Sequence, residues 1–556
     1  MASSGDMLST AVSGLQAFQR NLVTTGHNIS NVNTEGFSRQ SVELATRNPI
    51  GLGNGFIGTG VNVTSIQRVF DQFINAQVTT RNSTFNQLDT MQQLTSAVDE
   101  LLADDDAGLN PVLQSFFDAV HGVANNPTSI PARQVLIAEA DTLANRFVTM
   151  DQRFSDLRAS VNDQIATAAE EINGLAQSIA GLNNTIVLET GASGGQPPND
   201  LLDKRDLLVN QLAELVSVST VTSDNGSLDV FIGNGQTLVL GNTANSISTV
   251  RSEFDQSEIE VSFSSSTVNY SISNQISGGK LGGLLEYRDK ILDPVQNSMG
   301  RIAISLAATV NAQHIQGADI NGNAGGLFFN SILTSSPEVF ANTGNNPASG
   351  TVSVAITDTN AIQASDYQLN YDGANFTVLR LSDNTVVDSG FAVGDLPRTI
   401  AADGLSISLA GSVAAGDSFL LRPVRNGATD IKVAITSAAG VAAAATGNSL
   451  GDNSNALALA ALQINKVMGG STETYQTAFS KLVATVGVSA SQATVNAAAQ
   501  RTLLNRAIES QQSVSGVNLD EEAANLIKFQ QAYQAAAQVI SVADDIFQTL
   551  LSVTAR

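Results

Sequence analysis

The chain of 556 residues has no cysteine and no tryptophan, only three histidines, and 27 Lys plus Arg against 51 Asp plus Glu. Without cysteine there is no disulfide framework, no thiolate zinc site and no cysteine nucleophile, so stability rests on packing. The formal net charge of -24 repels phosphate backbones and anionic lipid, which excludes nucleic acid and membrane surfaces as partners. His27, His121 and His314 belong to no paired-histidine metal motif, and each reads as a surface or packing residue. Carboxylates are spread along the chain with no pair set apart as acid and base, so no catalytic, metal or cofactor site is expected.

Long apolar runs are missing too, and no stretch is suited to cross a bilayer. Met1 to Thr10 carries neither a basic residue nor an unbroken apolar core, unlike a secretory signal peptide. A cytosolic protein is one reading. The low content of charged residues and the wealth of Ala, Ser, Thr, Asn, Gln and Gly equally suit a chain exported unfolded by another route. Composition leaves both open.

What the chain does have is an apolar heptad at each end. Leu8, Leu15, Leu22 and Ile29 repeat every seven residues, with Ala11, Phe18, Thr25 and Val32 interleaved at the spacing of a coiled-coil seam. At the other end Leu526, Tyr533, Ile540 and Phe547 form one series, and Phe529, Ala536, Ala543 and Leu550 the second. Amphipathic helices usually pack on their own domain's core. These two stripes have no obvious partner within their own segments, and a hinge-like Ser515-Gly516-Val517-Asn518 precedes the second. Mutual pairing and packing between molecules is therefore the favoured reading, with ordering of these short arms expected on assembly.

The fold class expected is a multidomain α+β chain: terminal α-helical coiled-coil arms, an elongated helical bundle and inserted β-rich domains. Residues 1–50 and 515–556 form the axial arms. Residues 51–215, 276–330 and 440–514 form the helical domain, whose main rod runs from Leu143 to Ile186 in steps of three and four, on the order of 65 Å long. Period-two patterning marks a small β insertion over 216–275, with a hairpin turn at Asp224-Asn225-Gly226, and an outer β-rich block over 331–439. Leu457 to Met468 and Tyr475 to Ile508 are expected to be helical. Each later domain sits between the halves of an earlier one, so the termini must meet at one end.

Several motifs dissolve on inspection. Gly53-Asn54-Gly55-Phe56-Ile57-Gly58 has dinucleotide-fingerprint spacing, but a strand rather than a helix follows it, which makes it a glycine-rich turn. Asp319-Ile320-Asn321-Gly322-Asn323 starts like a calcium loop, yet the sixth position is Ala324 and the twelfth Asn330, so it reads as a polar loop. Asp104, Asp105 and Asp106 before Gly108 read as a solvated helix break.

Ser13-Gly14-Leu15-Gln16-Ala17-Phe18-Gln19, followed by Asn28-Ile29-Ser30-Asn31-Val32-Asn33-Thr34-Glu35-Gly36-Phe37, resembles the N-terminal signature of bacterial flagellar rod, hook and hook-associated axial proteins. Asn28, Asn31, Asn33, Thr34, Gly36 and Phe37 carry that motif. The ending 515–535 and the segment Asn199-Asp200-Leu201-Leu202-Asp203-Lys204-Arg205-Asp206 are similar to the hook-associated protein 1 family. The block from about 340 to 435 carries no quotable motif. The resemblance implies a structural, non-enzymatic protein without cofactor, at the distal end of the extracellular hook where the filament begins. It implies type III export, self-association in a ring, and contacts with hook protein and hook-associated protein 3. It also implies an export chaperone on the C-terminal helix. A secreted adhesive protein with ligand contacts on the β blocks is the competing class, and an enzyme a third.

Overall fold

The structure is a computed structural model and describes residues 4–51, 55–104, 108–264, 269–346, 350–447, 449 and 451–554. Eleven helices are described. They are α1 (Ser4–Ser30), α2 (Gln72–Ala103), α3 (Leu109–Asn125), α4 (Ile130–Ala192), α5 (Asn199–Leu215) and α6 (Gly279–Tyr287). They continue with α7 (Asp293–His314), α8 (Gly427–Asp430), α9 (Ser454–Ala461), α10 (Tyr475–Ser515) and α11 (Leu519–Thr554).

The backbone of the molecule is α4, 63 residues long, which at about 1.5 Å per residue spans roughly 95 Å. Ser129 caps it by accepting from the Ala132 amide, and Pro131 occupies its first turn, where a missing N–H costs nothing. Phe147, Phe154, Val161, Ile165, Ile172 and Ile179 line one face and are fully buried, so the three-and-four spacing is a packed stripe. α2 runs antiparallel to α10: Gln511 donates to Asn75 at 2.9 Å at one end, and Gly487 lies by Asp99 near the other. Asp71 starts α2 by accepting from the amides of Phe73 and Ile74.

The small β unit holds two antiparallel sheets. One runs through Val218–Thr222, Leu228–Ile232, Gln236–Leu240 and Thr243–Ala244; the other has Ile259–Ser264 between Ser246–Arg251 and Asn269–Ser271. Gly226, with φ of 85°, makes the turn at Asp224-Asn225-Gly226. The outer block contains a five-stranded sheet in the order Glu338–Ala341, Ser418–Arg422, Tyr367–Tyr371, Phe376–Arg380, Thr385–Phe391. A three-stranded sheet, Thr351–Ile356, Leu405–Ala410, Arg398–Ala402, completes it. Alternate residues Tyr367, Leu369 and Tyr371 are buried, and the rings of Tyr371, Phe376 and Phe391 stack.

Three close pairings join segments far apart in sequence. Ser217 donates to the Ser277 carbonyl at the neck of the small β unit, and Gly317–Ala318 pairs with Ala444–Ala445 at the neck of the outer block. Arg39 donates to the Ser515 carbonyl at 2.8 Å, where the terminal arms leave the helical part.

One helix is shorter than its pattern. Expected from Leu457 to Met468, α9 ends at Ala461. The amides of Leu462, Gln463 and Ile464 turn to carbonyls three residues back, and Gly469 and Gly470 take positive φ, so that Met468 can bond Glu473. Burying Met468 outweighs a further helical turn. Of the segment expected to be a glycine-rich turn, Phe56–Ile57 instead form a short strand paired with Ile50–Gly51, while Gly53 and Asn54, like Asp105 and Asp106, lie outside the described residues.

Candidate assembly interface

α1 and α11 pack along each other within the single chain, and the antiparallel hairpin Gln40–Thr46/Val61–Arg68 lies against α1. Of the heptad positions, Ala11, Thr25 and Ala543 are buried. Leu15, Phe18, Leu22, Ile29, Leu526, Phe529, Tyr533, Ala536 and Ile540 are half-buried, Leu8 and Phe547 are exposed, and the Leu550 side chain lies outside the described residues. The most deeply covered face of α1 is smaller and more polar than the leucine series, with Ala17, Asn21, Thr24, Thr25 and Asn28 buried. Asn21 and Asn28 are satisfied there: Asn21 donates to the Ala17 carbonyl at 2.9 Å.

The two family segments that are far apart in sequence meet at the base of these arms. The Asn28 amide donates to the Gln40 carbonyl and its oxygen accepts from the Gln40 amide, both at 2.9 Å. Asn31 donates to the His27 carbonyl at 3.0 Å, Thr34 donates to Asn31 at 3.1 Å, and the Phe37 ring meets the His27 ring edge-on at 5.4 Å. Gly36 has φ of 77°, and a Cβ there would sit 3.1 Å from Leu207. Asn33 is exposed. From α5, Asp203 accepts from the Ser38 amide at 2.8 Å. Arg68 of the hairpin bridges Asp203 at 2.9 Å and Asp206 at 2.7 Å, and Asn199 donates to the Ile66 carbonyl at 2.8 Å. Burial pushes the Asp203 carboxyl up, against the opposing pull of Ser38 and Arg68. Arg39 then reaches Glu521 of α11 at 3.3 Å. The segments 27–40 and 199–207 therefore meet in one joint, through His27 with Asp200, Gly36 beside Leu207 and Ser38 with Asp203.

The outer faces of the arms stay uncovered. Val12 and Val23 on α1, and Ile527, Val539, Val542 and Ile546 on α11, are all exposed. Ala535, Val539, Val542 and Ile546 form a second apolar series on α11 that the heptad reading passed over, although its four-three-four spacing stands in the sequence. No charged residue lies between Lys528 and Asp544.

A second group absent from the sequence reading is a buried ionic cluster joining α4, the small β unit, α7 and the outer block. Arg158 pairs with Glu258 at 2.8 Å and with Asp293. Arg422 pairs with Asp255 and, at 2.8 Å, Glu258; Arg425 reaches Asp366 at 2.7 Å and Asp293 at 3.3 Å. Burial opposes charge on Asp293, but the guanidiniums of Arg425 and Arg158 hold its carboxyl well below the usual range. The signal was two arginines in the otherwise apolar run Phe419-Leu420-Leu421-Arg422-Pro423-Val424-Arg425, since buried arginine demands an acidic partner. Among the described residues no group of three or more His, Cys, Asp or Glu could hold a metal, and no helix is long and apolar enough to cross a membrane. Asp319 is a loop residue accepting from the amides of Asn321 and Asn323 at 2.8 Å.

Four family models match the chain. "Flagellar hook-associated protein FlgK helical domain" covers residues 95–329 and "Flagellar hook-associated protein 1, D2-like domain" covers 340–423, within the block that carries no quotable motif. "Flagella basal body rod protein" matches 8–37, and "Flagellar basal body rod FlgEFG protein C-terminal" matches 510–553. Flagellar hook-associated protein 1 of Salmonella typhimurium is 37% identical over 558 residues, covering 98% of this chain and 99% of that protein. The Bacillus subtilis relative of the same name is 25% identical over 577 residues, with coverage of 98% and 97%. Among solved structures, the flagellar hook junction protein FlgK from Burkholderia pseudomallei superposes with a TM-score of 0.73 at 28% identity, covering 79% of this chain and 100% of that one. Similarity along almost the whole length, together with the shared fold, places this chain in the flagellar hook-associated protein 1 family.

Proposed function

We propose that this protein is a structural element of the junction between the flagellar hook and filament, and that α1 and α11 form the inner wall of that junction. In this reading the chain passes unfolded through the type III export channel. Copies then assemble as a ring on the hook protein, beneath hook-associated protein 3, outside the cell at the hook's distal end. The arms comprise 1–50 and 515–556, while the helical and β-rich domains stand outward as the wall. A dedicated chaperone would cover the C-terminal helix before export, because an uncovered apolar helix invites premature association.

One observation carries the proposal. The two arms pair through one face and still present Val12, Val23, Val539 and Val542 on the other, with no charged residue in α11 between Lys528 and Asp544. A helix apolar on several faces belongs in an interior, and burial of each such side chain contributes about 1.5–3 kcal/mol. The interior available is the space between copies. Deleting 515–556 should leave the middle of the chain folded, as judged by an unchanged cooperative melt. The same deletion should prevent filaments from attaching to hooks, and normal attachment would refute the proposal.

A further inference from the structure

The segment 252–258 joins two paired strands of the small β unit, Ser246–Arg251 and Ile259–Ser264, and is longer than a hairpin turn needs. It holds three carboxylates, Glu253, Asp255 and Glu258, and no basic residue. Internal bonds fix its shape: the Ser252 amide donates to the Glu258 carbonyl at 2.9 Å, and Asp255 accepts from the amide and hydroxyl of Ser257 at 2.8 and 2.7 Å. The rod grips this loop. Asn162 of α4 donates to the Ser257 carbonyl at 3.2 Å, and Arg158 of α4 pairs with Glu258 at 2.8 Å.

The outer block grips it too. Asp255 and Glu258 both pair with Arg422, Glu258 reaches Arg425 at 3.3 Å, and the Thr343 amide donates to the Glu253 carbonyl at 2.8 Å. The place of Arg422 in the fold gives these bonds their leverage. The sheets of the outer block run from Glu338 to Arg422, and these two residues are register partners on adjacent strands, so the chain enters and leaves the sheets side by side. Such a two-strand neck is a pivot, and buried Arg422 stands at it. Beside the loop, a cleft of about 850 Å³ separates the two β parts, with Val250 and Tyr270 on one side and Leu381 and Leu420 on the other. A second tether, Asn360 to Ser471 at 2.7 Å, is exposed. Buried ion pairs add little net stability over apolar packing, but the guanidinium fork is exacting in geometry, which suits it to fixing an orientation.

We infer that the loop 252–258 is a clamp that sets the angle at which the outer block stands on α4, so that the small β unit serves as the outer block's brace. The inference goes beyond the junction role and is tested on the purified chain, whether or not that role holds.

Because the chain has no cysteine, spin labels go only where they are placed, at Val135→Cys on α4 and Val386→Cys on the outer block, both exposed positions. Pulsed dipolar spectroscopy of the full-length chain should give one narrow distance distribution. Adding Asp255→Asn with Glu258→Gln should at least double its width. Asp383→Asn, which cuts an exposed ion pair with Arg380 inside the outer block, should leave the width unchanged. An unchanged width in the Asp255→Asn, Glu258→Gln chain overturns the inference, and so does equal broadening by Asp383→Asn. Amide exchange on the same chain must keep Tyr367–Tyr371 and Phe376–Arg380 protected. Loss of that protection also overturns the inference, since the loop would then hold the fold of the outer block and not its angle.

Discussion

Both ring nitrogens of His314 are committed. Nδ1 donates to the Gly326 carbonyl at 2.7 Å, and Nε2 accepts from the Ala442 amide at 2.8 Å, in a site where the residue is fully buried. Only the neutral ring fits, and burial, assisted by Arg133, pulls its pKa down despite the Gly326 bond. A histidine with a lowered folded pKa contributes its full stability above the unfolded value of about 6.5 and loses it as the pH falls toward the folded value. Unfolding free energy should drop below pH 6.5 by up to about 1.4 kcal/mol per pH unit, and chemical denaturation of His314→Phe should show that slope flattened. Asp293 tests the ionic cluster in the same way. Asp293→Asn leaves Arg158 and Arg425 short of a partner and should cost roughly 3–5 kcal/mol at neutral pH. Because the Asp293 carboxyl is held low, that gap should persist down to about pH 4 and narrow in stronger acid. No local spacing announced this cluster, whose members lie far apart in sequence; only the charges of Arg422 and Arg425 in an apolar run pointed toward it.

At the scale of elements, periodicity was the readable signal. The rod from Leu143 to Ile186 lies inside α4, and the hairpin at Asp224-Asn225-Gly226 forms where turn chemistry put it. What periodicity missed is competition: α9 stops at Ala461 because the chain gains more by turning back to bury Met468. It also missed close approach of backbone to backbone. Gly300 lies within α7, where a Cβ would fall 1.8 Å from the Val424 carbonyl oxygen, so the loop leading to the outer block packs directly on the helix. Gly300→Ala should destabilise the chain by at least about 1–3 kcal/mol in thermal or denaturant unfolding. Gly174, exposed on α4 with no atom within 4 Å of a built Cβ, provides the contrast. Gly174→Ala should stabilise by about 0.5–1 kcal/mol, since only helix propensity changes there. The heptads of the arms were legible as apolar stripes, but Leu8, Leu15 and Leu22 do not form the best-covered face of α1. Small and polar residues take that face because α11 and the hairpin approach closely there.

The whole molecule is organised by closures: Ser217 with Ser277, Gly317–Ala318 with Ala444–Ala445, and Arg39 with Ser515. Each pairing brings together residues far apart in sequence, and beyond the third of them α1 and α11 pack along each other. Alternation of helical and period-two segments made the succession of helices and strands readable. The joint of segments 27–40 and 199–207 was not, because it depends on pairings such as Asp203 with Ser38 and Arg68 that no one-dimensional pattern encodes. The central claim is that the outer faces of α1 and α11 are completed by neighbouring copies. Residue-resolved amide exchange, compared between the purified chain and the chain assembled in flagella, addresses it directly. The account predicts rapid exchange along α1 and α11 in the isolated chain, next to a protected α4, and strong slowing of both arms on assembly. Arms equally protected in the two states would contradict it.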